Sequence, residues 1–234
     1  MATLVEIQRR LEEIKDMGYI QTRRRGPTGV GHTFEQVLGL DEDNLQIPDI
    51  GGRIEVKTAR RNAGSLVTMF TFNRSVWQMP QKEVVMKYGY FSETDQRQAL
   101  YHSIWPYRDH PSGFNVIVDR HGNSLKLMHG ENEIAIWSIY RLVGALLYKL
   151  GKILFVIADT RINEDGREEF YYSEAYLLEE PSEEGFIEAF ESSKVCLDIR
   201  MHLNERGTVR NHGTGFRMRE DELSLLFGKK RRLI

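Results

Sequence analysis

Apolar residues recur at Leu4, Ile7, Leu11 and Ile14, a helical spacing that predicts a helix over 3–18 with Gly18 as its stop. Thr33, followed three residues later by Gln36, is a capping-box signal for a second helix reaching Leu40. The period then changes to two. Over 53–60, Ile54, Val56 and Thr58 fall on one side of a strand, and Glu55, Lys57 and Ala59 on the other. Further strands are predicted over 66–72, 115–119 and 124–128, the last two joined by the turn Arg120-His121-Gly122-Asn123. The largely apolar stretch 134–150, closed by Gly151, predicts a long helix. The short apolar run 152–159 predicts a buried central strand, and 170–178 another strand. Pro181-Ser182 opens a helix to about 193, 195–203 is a strand with a return at 209–218, and 220–227 reads as a short terminal helix. Helices and strands interleave, so the expected fold is α/β with a mixed β-sheet flanked by helices.

Composition narrows the function classes. At 234 residues, 41% hydrophobic and 28% charged, the chain suits one large domain or two small ones and excludes a fibrous or disordered whole. Its one cysteine, Cys196, excludes an internal disulfide and a cysteine-rich zinc site. No apolar stretch approaches the roughly 20 residues of a membrane span, so no membrane partner is expected and the reading is an intracellular soluble protein. The net charge of -2 hides a segregation. From 164 to 191 eleven acidic residues face one arginine, whereas 206–234 carries eight Lys/Arg against three acids. Such a distribution can hold a polyanion on one side and repel it on the other, although charge runs are also ordinary solvated faces.

The segment Ile47-Pro48-Asp49-Ile50-Gly51-Gly52-Arg53-Ile54-Glu55-Val56-Lys57 carries the chemistry. Alternation puts Glu55 and Lys57 on one side of a strand, about 7 Å apart. The glycine pair lets Asp49 fold back towards Glu55. Converging carboxylates are costly without a cation between them, and the hard ion they favour is Mg²⁺. A lysine beside that metal can orient or deprotonate an attacking water, or stabilise charge growing on a phosphate. The set suits metal-assisted phosphodiester hydrolysis.

Pro48-Asp49 followed by Glu55-Val56-Lys57 resembles the motif of the PD-(D/E)XK nucleases. The upstream segment 29–39, a glutamate-bearing helix ending in Leu38-Gly39, resembles MutH-type mismatch-repair nicking endonucleases and the MvaI/BcnI restriction endonucleases. Arg210-Asn211-His212-Gly213-Thr214-Gly215-Phe216-Arg217 resembles the MvaI/BcnI group in particular. The resemblance implies a restriction-endonuclease-like core with a DNA cleft between two lobes. A catalytic lobe would include about 1–90 and 130–195, and a recognition lobe about 91–130 and 196–234. It implies Asp49, Glu55 and the Val56 carbonyl as metal ligands, Lys57 as the residue that positions or activates water, and Mg²⁺ as cofactor with Mn²⁺ as a substitute. Glu35 matches the helix glutamate beside the metal site; alternatively it is a surface acid near a helix N-terminus. The implied activity is that of a type II site-specific deoxyribonuclease acting on double-stranded DNA in the cytoplasm of a prokaryotic cell. It would act as a monomer that cuts the strands in successive events, with a cognate DNA methyltransferase as functional partner. A strand-nicking repair enzyme and a non-catalytic DNA-binding module on the same fold are the rivals.

Arg210, Asn211, His212, Arg217 and Arg219 have side chains suited to base edges, or else form the polar side of an exposed strand. Arg60, Arg61 and Asn62 after the catalytic strand, and Arg23, Arg24 and Arg25 before the Glu35 helix, are candidates for phosphate contacts. Lys229-Lys230-Arg231-Arg232 reads chiefly as a frayed basic terminus. His102, His110, His121, His129 and His202 lack metal-ligand spacing, Cys196 reads as a buried small hydrophobe, and no Walker-type loop is present.

Overall fold

A computed structural model describes residues 4–40, 50–51, 53–61, 64, 66–72 and 76–234. The chain opens with α1 (Leu4–Asp16), which buries Ile7, Leu11 and Ile14 as its spacing predicts. Strand β1 (Ile20–Gln21) and α2 (Gly29–Leu38) follow. Helix α2 begins four residues before Thr33, so that residue is interior and fully buried. Its hydroxyl accepts the Arg23 backbone N–H at 3.1 Å and serves the preceding loop instead of the helix end. Next come β2 (Glu55–Arg60), β3 (Leu66–Phe72), α3 (Gln81–Tyr88), β4 (Tyr90–Ser92), β5 (Arg97–Ile104), β6 (Phe114–Asp119) and β7 (Ser124–His129). Elements α3, β4 and β5 give no pattern strong enough to be read from sequence.

The expected helix over 134–150 is a strand, β8 (Asn132–Ser138), running directly into a helix, α4 (Ile139–Lys149). Ile134-Ala135-Ile136-Trp137 is β-branched and aromatic, and cross-strand pairing such as Leu125 with Trp137 selects the strand. Then follow β9 (Lys152–Ile162), β10 (Glu168–Pro181), α5 (Glu183–Glu191) and β11 (Val195–Leu203). The expected return at 209–218 is split into β12 (Val209–Asn211) and β13 (Thr214–Arg219), because the Asn211 side-chain carbonyl accepts the Gly213 N–H at 2.8 Å and breaks the strand there. The terminal helix is a 3-10 turn (Glu220–Leu226), and the basic terminus is strand β14 (Phe227–Arg232), paired antiparallel with β10. It was expected to fray; ladder bonds and the Arg231–Glu179 ion pair at 3.0 Å hold it.

The chain forms two compact units. The first comprises Met1–Val67, Leu147–Ser182 and Leu223–Ile234. Its sheet has the order β1-β10-β9-β2, with β14 also on β10, and β2 runs parallel to β9. Helices α1 and α2 cover one face, packing Leu11, Ile14, Val30 and Phe34 on Val56, Val156 and Tyr172. The second unit comprises Thr68–Leu146 and Glu183–Glu222. It holds the sheet β3-β13-β11-β5-β4, with β12 on β11, and the meander β6-β7-β8. These are bodies of packing, and their ends fall elsewhere than those expected for the functional lobes: 68–90, 130–146 and 183–195 pack with the second unit, and 223–234 with the first.

Candidate active site and a polar sheet face

Strand β2 carries the centre of the first unit. Its register opposite β9 pairs Glu55 with Ile153 and Lys57 with Phe155. Because α4 ends at Lys149 just before β9 begins, the last side chain of the helix lands beside the first residue of β2. Glu55 is only 4% exposed. Lys57 Nζ donates to its Oε1 at 2.7 Å, and Lys149 Nζ stands 3.0 Å from its Oε2. The second contact is an ion pair without good hydrogen-bond geometry, for Oε2 accepts no hydrogen bond. A buried carboxylate is stable only when compensated, and here two ammonium groups do so. The sequence reading missed Lys149. A lysine in the last turn of a helix is what the helix dipole favours anyway, so nothing local marked it.

The other expected members distribute as follows. Asp49 and Asn62 lie outside the described residues. Val56 is buried in the core on the opposite face of β2, so only its backbone faces a ligand role. Glu35 sits on the helix-covered side. A Cβ at Gly31 would lie 3.2 Å from Thr58 Oγ1 and 3.9 Å from Glu35 Oε1, and the Glu35 charge helps to raise the Tyr172 pKa, whose main cause is burial. Thr58 and Val56 share that side, whereas Glu55 and Lys57 share the other. Arg60 grips Glu168 with two bonds, at 2.6 and 2.8 Å, and donates to the Pro27 carbonyl at 2.9 Å. Arg61 pairs with Asp159 at 2.5 Å and Glu174 at 2.7 Å. Both guanidinium groups are thus built into the fold. Arg23, Arg24 and Arg25 line one concavity. Among the described residues no three His, Cys, Asp or Glu side chains form a metal-binding group.

The second unit carries a polar sheet face. On β11, Val195, Leu197, Ile199 and Met201 are fully buried, while Asp198, Arg200 and His202 alternate with them on the other side. Asp198, 7% exposed, accepts the Ser103 hydroxyl at 2.8 Å and Arg217 Nη1 at 3.2 Å, with Arg200 Nε at 3.5 Å. The His202 ring bonds Tyr101 Oη through Nδ1 at 2.7 Å, and its centroid is 5.4 Å from that of His212. Burial, reinforced by neighbouring arginines, lowers the pKa of both histidines. Arg210 is exposed beside a concavity it shares with Arg97, Arg206 and His202. Asn211 donates to Gln81 at 3.3 Å. Arg219 is exposed and 3.4 Å from Asp221. Of the expected DNA-facing group, Arg210, Asn211, His212 and Arg217 gather on or beside this face. Asp198, Arg200, Arg97 and Arg206 were not singled out. Asp198-x-Arg200 alternates like Glu55-x-Lys57 and could have been found by that spacing. Cys196 is buried, and burial pushes its thiol up to about 12, in keeping with an inert core role.

Solved structures of the restriction endonuclease MvaI resemble the whole chain. A restriction endonuclease MvaI–cognate DNA substrate complex matches with a TM-score of 0.81 at 25% identity, covering 100% of both chains. Restriction endonuclease MvaI in the absence of DNA matches with a TM-score of 0.59 at 25% identity, covering 100% of this chain and 99% of that one. No curated protein matches the sequence. The profile of the MvaI/BcnI restriction endonuclease family matches residues 8–227. With nearly the full length matched, in sequence profile and in fold, the chain belongs to the MvaI/BcnI restriction endonuclease family, and its enzyme class is the site-specific DNA nuclease.

Proposed function

We propose that the chain is a Mg²⁺-dependent type II restriction enzyme that hydrolyses phosphodiester bonds in double-stranded DNA, as a monomer cutting the two strands in successive events. The observation that carries this reading is the buried Glu55 held between Lys57 and Lys149 at the head of β2. The donor chemistry fits a hard divalent ion: Glu55 Oε2 is a buried carboxylate oxygen that accepts no hydrogen bond. Asp49, Glu55 and the Val56 carbonyl would hold Mg²⁺, or Mn²⁺ in its place. When bound, such an ion neutralises phosphate charge and lowers the pKa of water.

The protein's own groups do the rest. The bond to Glu55 Oε1 fixes Lys57 Nζ where it can orient the attacking water or donate to a phosphate oxygen. Lys149 Nζ, 3.0 Å from Glu55 Oε2, holds that carboxylate in place and adds positive charge on the side where the scissile phosphate would lie. Glu35, on the other side of β2, acts from the α2 side as a positioning residue. Arg210, Asn211, His212, Arg217 and Arg219 contact DNA, while Arg60 and Arg61 hold the strand and loop that carry the site. A DNA methyltransferase protecting the same sequence in a prokaryotic cytoplasm is the expected functional partner.

A plasmid assay tests the reading. Supercoiled unmethylated DNA with Mg²⁺ should give discrete fragments, lost with EDTA and with Lys57→Ala. Nicked circles alone would favour a repair-type nickase, and full cleavage by Lys57→Ala would refute the mechanism.

A further inference from the structure

We propose that strand β14 is a rail for the DNA backbone, with Lys230 and Arg232 seating phosphates on the same sheet face as Glu55 and Lys57. The inference rests on the nuclease reading and adds a binding surface to it. Strand pairing fixes the geometry. Lys57 lies opposite Phe155, Phe155 opposite Tyr176, and Tyr176 opposite Arg232. On the neighbouring rung Glu55, Ile153, Leu178 and Lys230 line up in the same way. Residues opposite one another in a ladder share a face of the sheet. Each rung therefore has a residue of the candidate active site at one end and a β14 cation at the other. The two ends are three strand spacings, or about 14 Å, apart.

Side-chain contacts trace this face from β2 to β14. Arg61, directly after β2, pairs with Glu174 at 2.7 Å, and the Tyr176 hydroxyl donates to the other oxygen of Glu174. Lys230 Nζ stands 4.3 Å from the centre of the Tyr176 ring. Alternation then sorts the basic run into two halves. Arg231 lies opposite Leu177 on the helix-covered face and pairs with Glu179 at 3.0 Å, which also holds Lys152 at 2.8 Å. Lys230 and Arg232, on the other face, are exposed. Lys230 rests on the Tyr176 ring and Arg232 Nε donates to the Ile234 carbonyl at 2.8 Å. Glu174, the carboxylate of this face on which Arg232 acts, already has both oxygens engaged by Arg61 and Tyr176. The helix-covered half of the run is thus tied into the fold, and the half facing the candidate active site holds its cations ready for an outside anion. Two residues apart on a strand, they are about 7 Å from each other, about two 3.4 Å steps along one DNA strand. Such contacts add affinity and fix how the duplex lies over the sheet, without reading sequence. Both residues lie beyond 227, where the family-profile match ends.

The test is the salt dependence of binding to a fluorescein-labelled mixed-sequence duplex of about 24 base pairs, in EDTA, from about 50 to 200 mM salt. The full chain is compared with Lys230→Gln/Arg232→Gln and with Lys229→Gln, which removes a charge from the same strand on the opposite face. Circular dichroism checks that each variant is folded. Each lost phosphate contact removes about 0.9 from the slope of log affinity against log salt, so the double variant should lose about 1.8. Lys229→Gln should keep the wild-type slope, and Lys230→Arg/Arg232→Lys should keep it too, because the effect counts charges on one face. An unchanged slope in the double variant overturns the proposal and assigns these cations to edge protection alone. A fall with Lys229→Gln equal to half that of the double variant also overturns it, because the basic strand would then act as a diffuse charge without a facing. A wild-type protein that binds no duplex overturns it as well. None of these outcomes decides the nuclease reading, which the plasmid assay on the wild-type chain reads separately.

Discussion

Two clusters in this molecule share a stoichiometry and differ in kind. In the first unit one carboxylate, Glu55, faces two lysines; in the second one carboxylate, Asp198, faces two arginines. Each carboxylate is buried. Lysine is a point charge on a flexible stem, so Glu55 is compensated while its Oε2 accepts no hydrogen bond. Arginine is a planar fork, so the bond from Arg217 Nη1 to Asp198 fixes that guanidinium's direction, while Arg200 Nε stands 3.5 Å away as an ion pair. The first arrangement suits an exchangeable cation at a reacting phosphate, and the second suits recognition by shape and hydrogen bonding.

The largest effect that would break this contrast is on cleavage. Lys57→Ala should lower the cleavage rate by about 10²- to 10⁴-fold in single-turnover assays while duplex affinity in EDTA changes little. A matching loss of affinity would place Lys57 in binding instead. Lys149→Ala should lower the rate less, about tenfold to a hundredfold, with Lys149→Arg recovering part of it, because it acts through Glu55.

Next in size is stability. Asp198→Asn removes the buried anion that Arg217 and Arg200 share and should cost about 2 kcal/mol. For a chain of this length that lowers Tm by about 4–8 °C in calorimetry. It should also widen the set of sequences cut, since the Arg217 fork loses its fixed direction. Retained stability with retained site preference would show that Asp198 orients nothing.

The smallest effect is the response to mild acid. Burial depresses the pKa of His202, His212 and His102 in the folded state, so the unfolded chain binds their protons first. Stability is then full above the ordinary histidine value near 6.5 and falls as pH drops from there towards the lowered folded values. Lowered carboxyls of the first unit, Asp159, Glu174 and Glu179 among them, add their loss only at lower pH, through about 4 and below. Tm should therefore decline between about pH 7 and 5.5, and His202→Gln/His212→Gln should flatten most of that decline, measured by differential scanning fluorimetry.

How much of this was readable in sequence depends on how local its cause is. The strand bearing Glu55 and Lys57 was readable because a two-residue period and a glycine pair precede any tertiary contact. Lys149 was not, because its meaning comes from the end of α4 meeting β2, a contact 94 residues apart in the chain. The stretch 134–150 misled because apolar density without period cannot separate a buried strand from a helix. The basic terminus misled for the opposite reason. Five of the six residues of β14 are exposed, so only pairing with β10 reveals the strand, and its Lys/Arg side chains guard an edge. Arg60 and Arg61 looked available for phosphate because their partners, Glu168, Asp159 and Glu174, lie about a hundred residues away.

The central claim is that Glu55 is a metal-holding carboxylate and not merely the anion of a structural triad. Mn²⁺ uptake, followed by loss of the free-ion electron paramagnetic resonance signal on titrating the protein in the presence of duplex DNA, tests it without relying on turnover. Wild type should take up Mn²⁺, and Glu55→Gln, folded by circular dichroism, should take up far less. Equal uptake by the two proteins would contradict the account and move the metal away from β2.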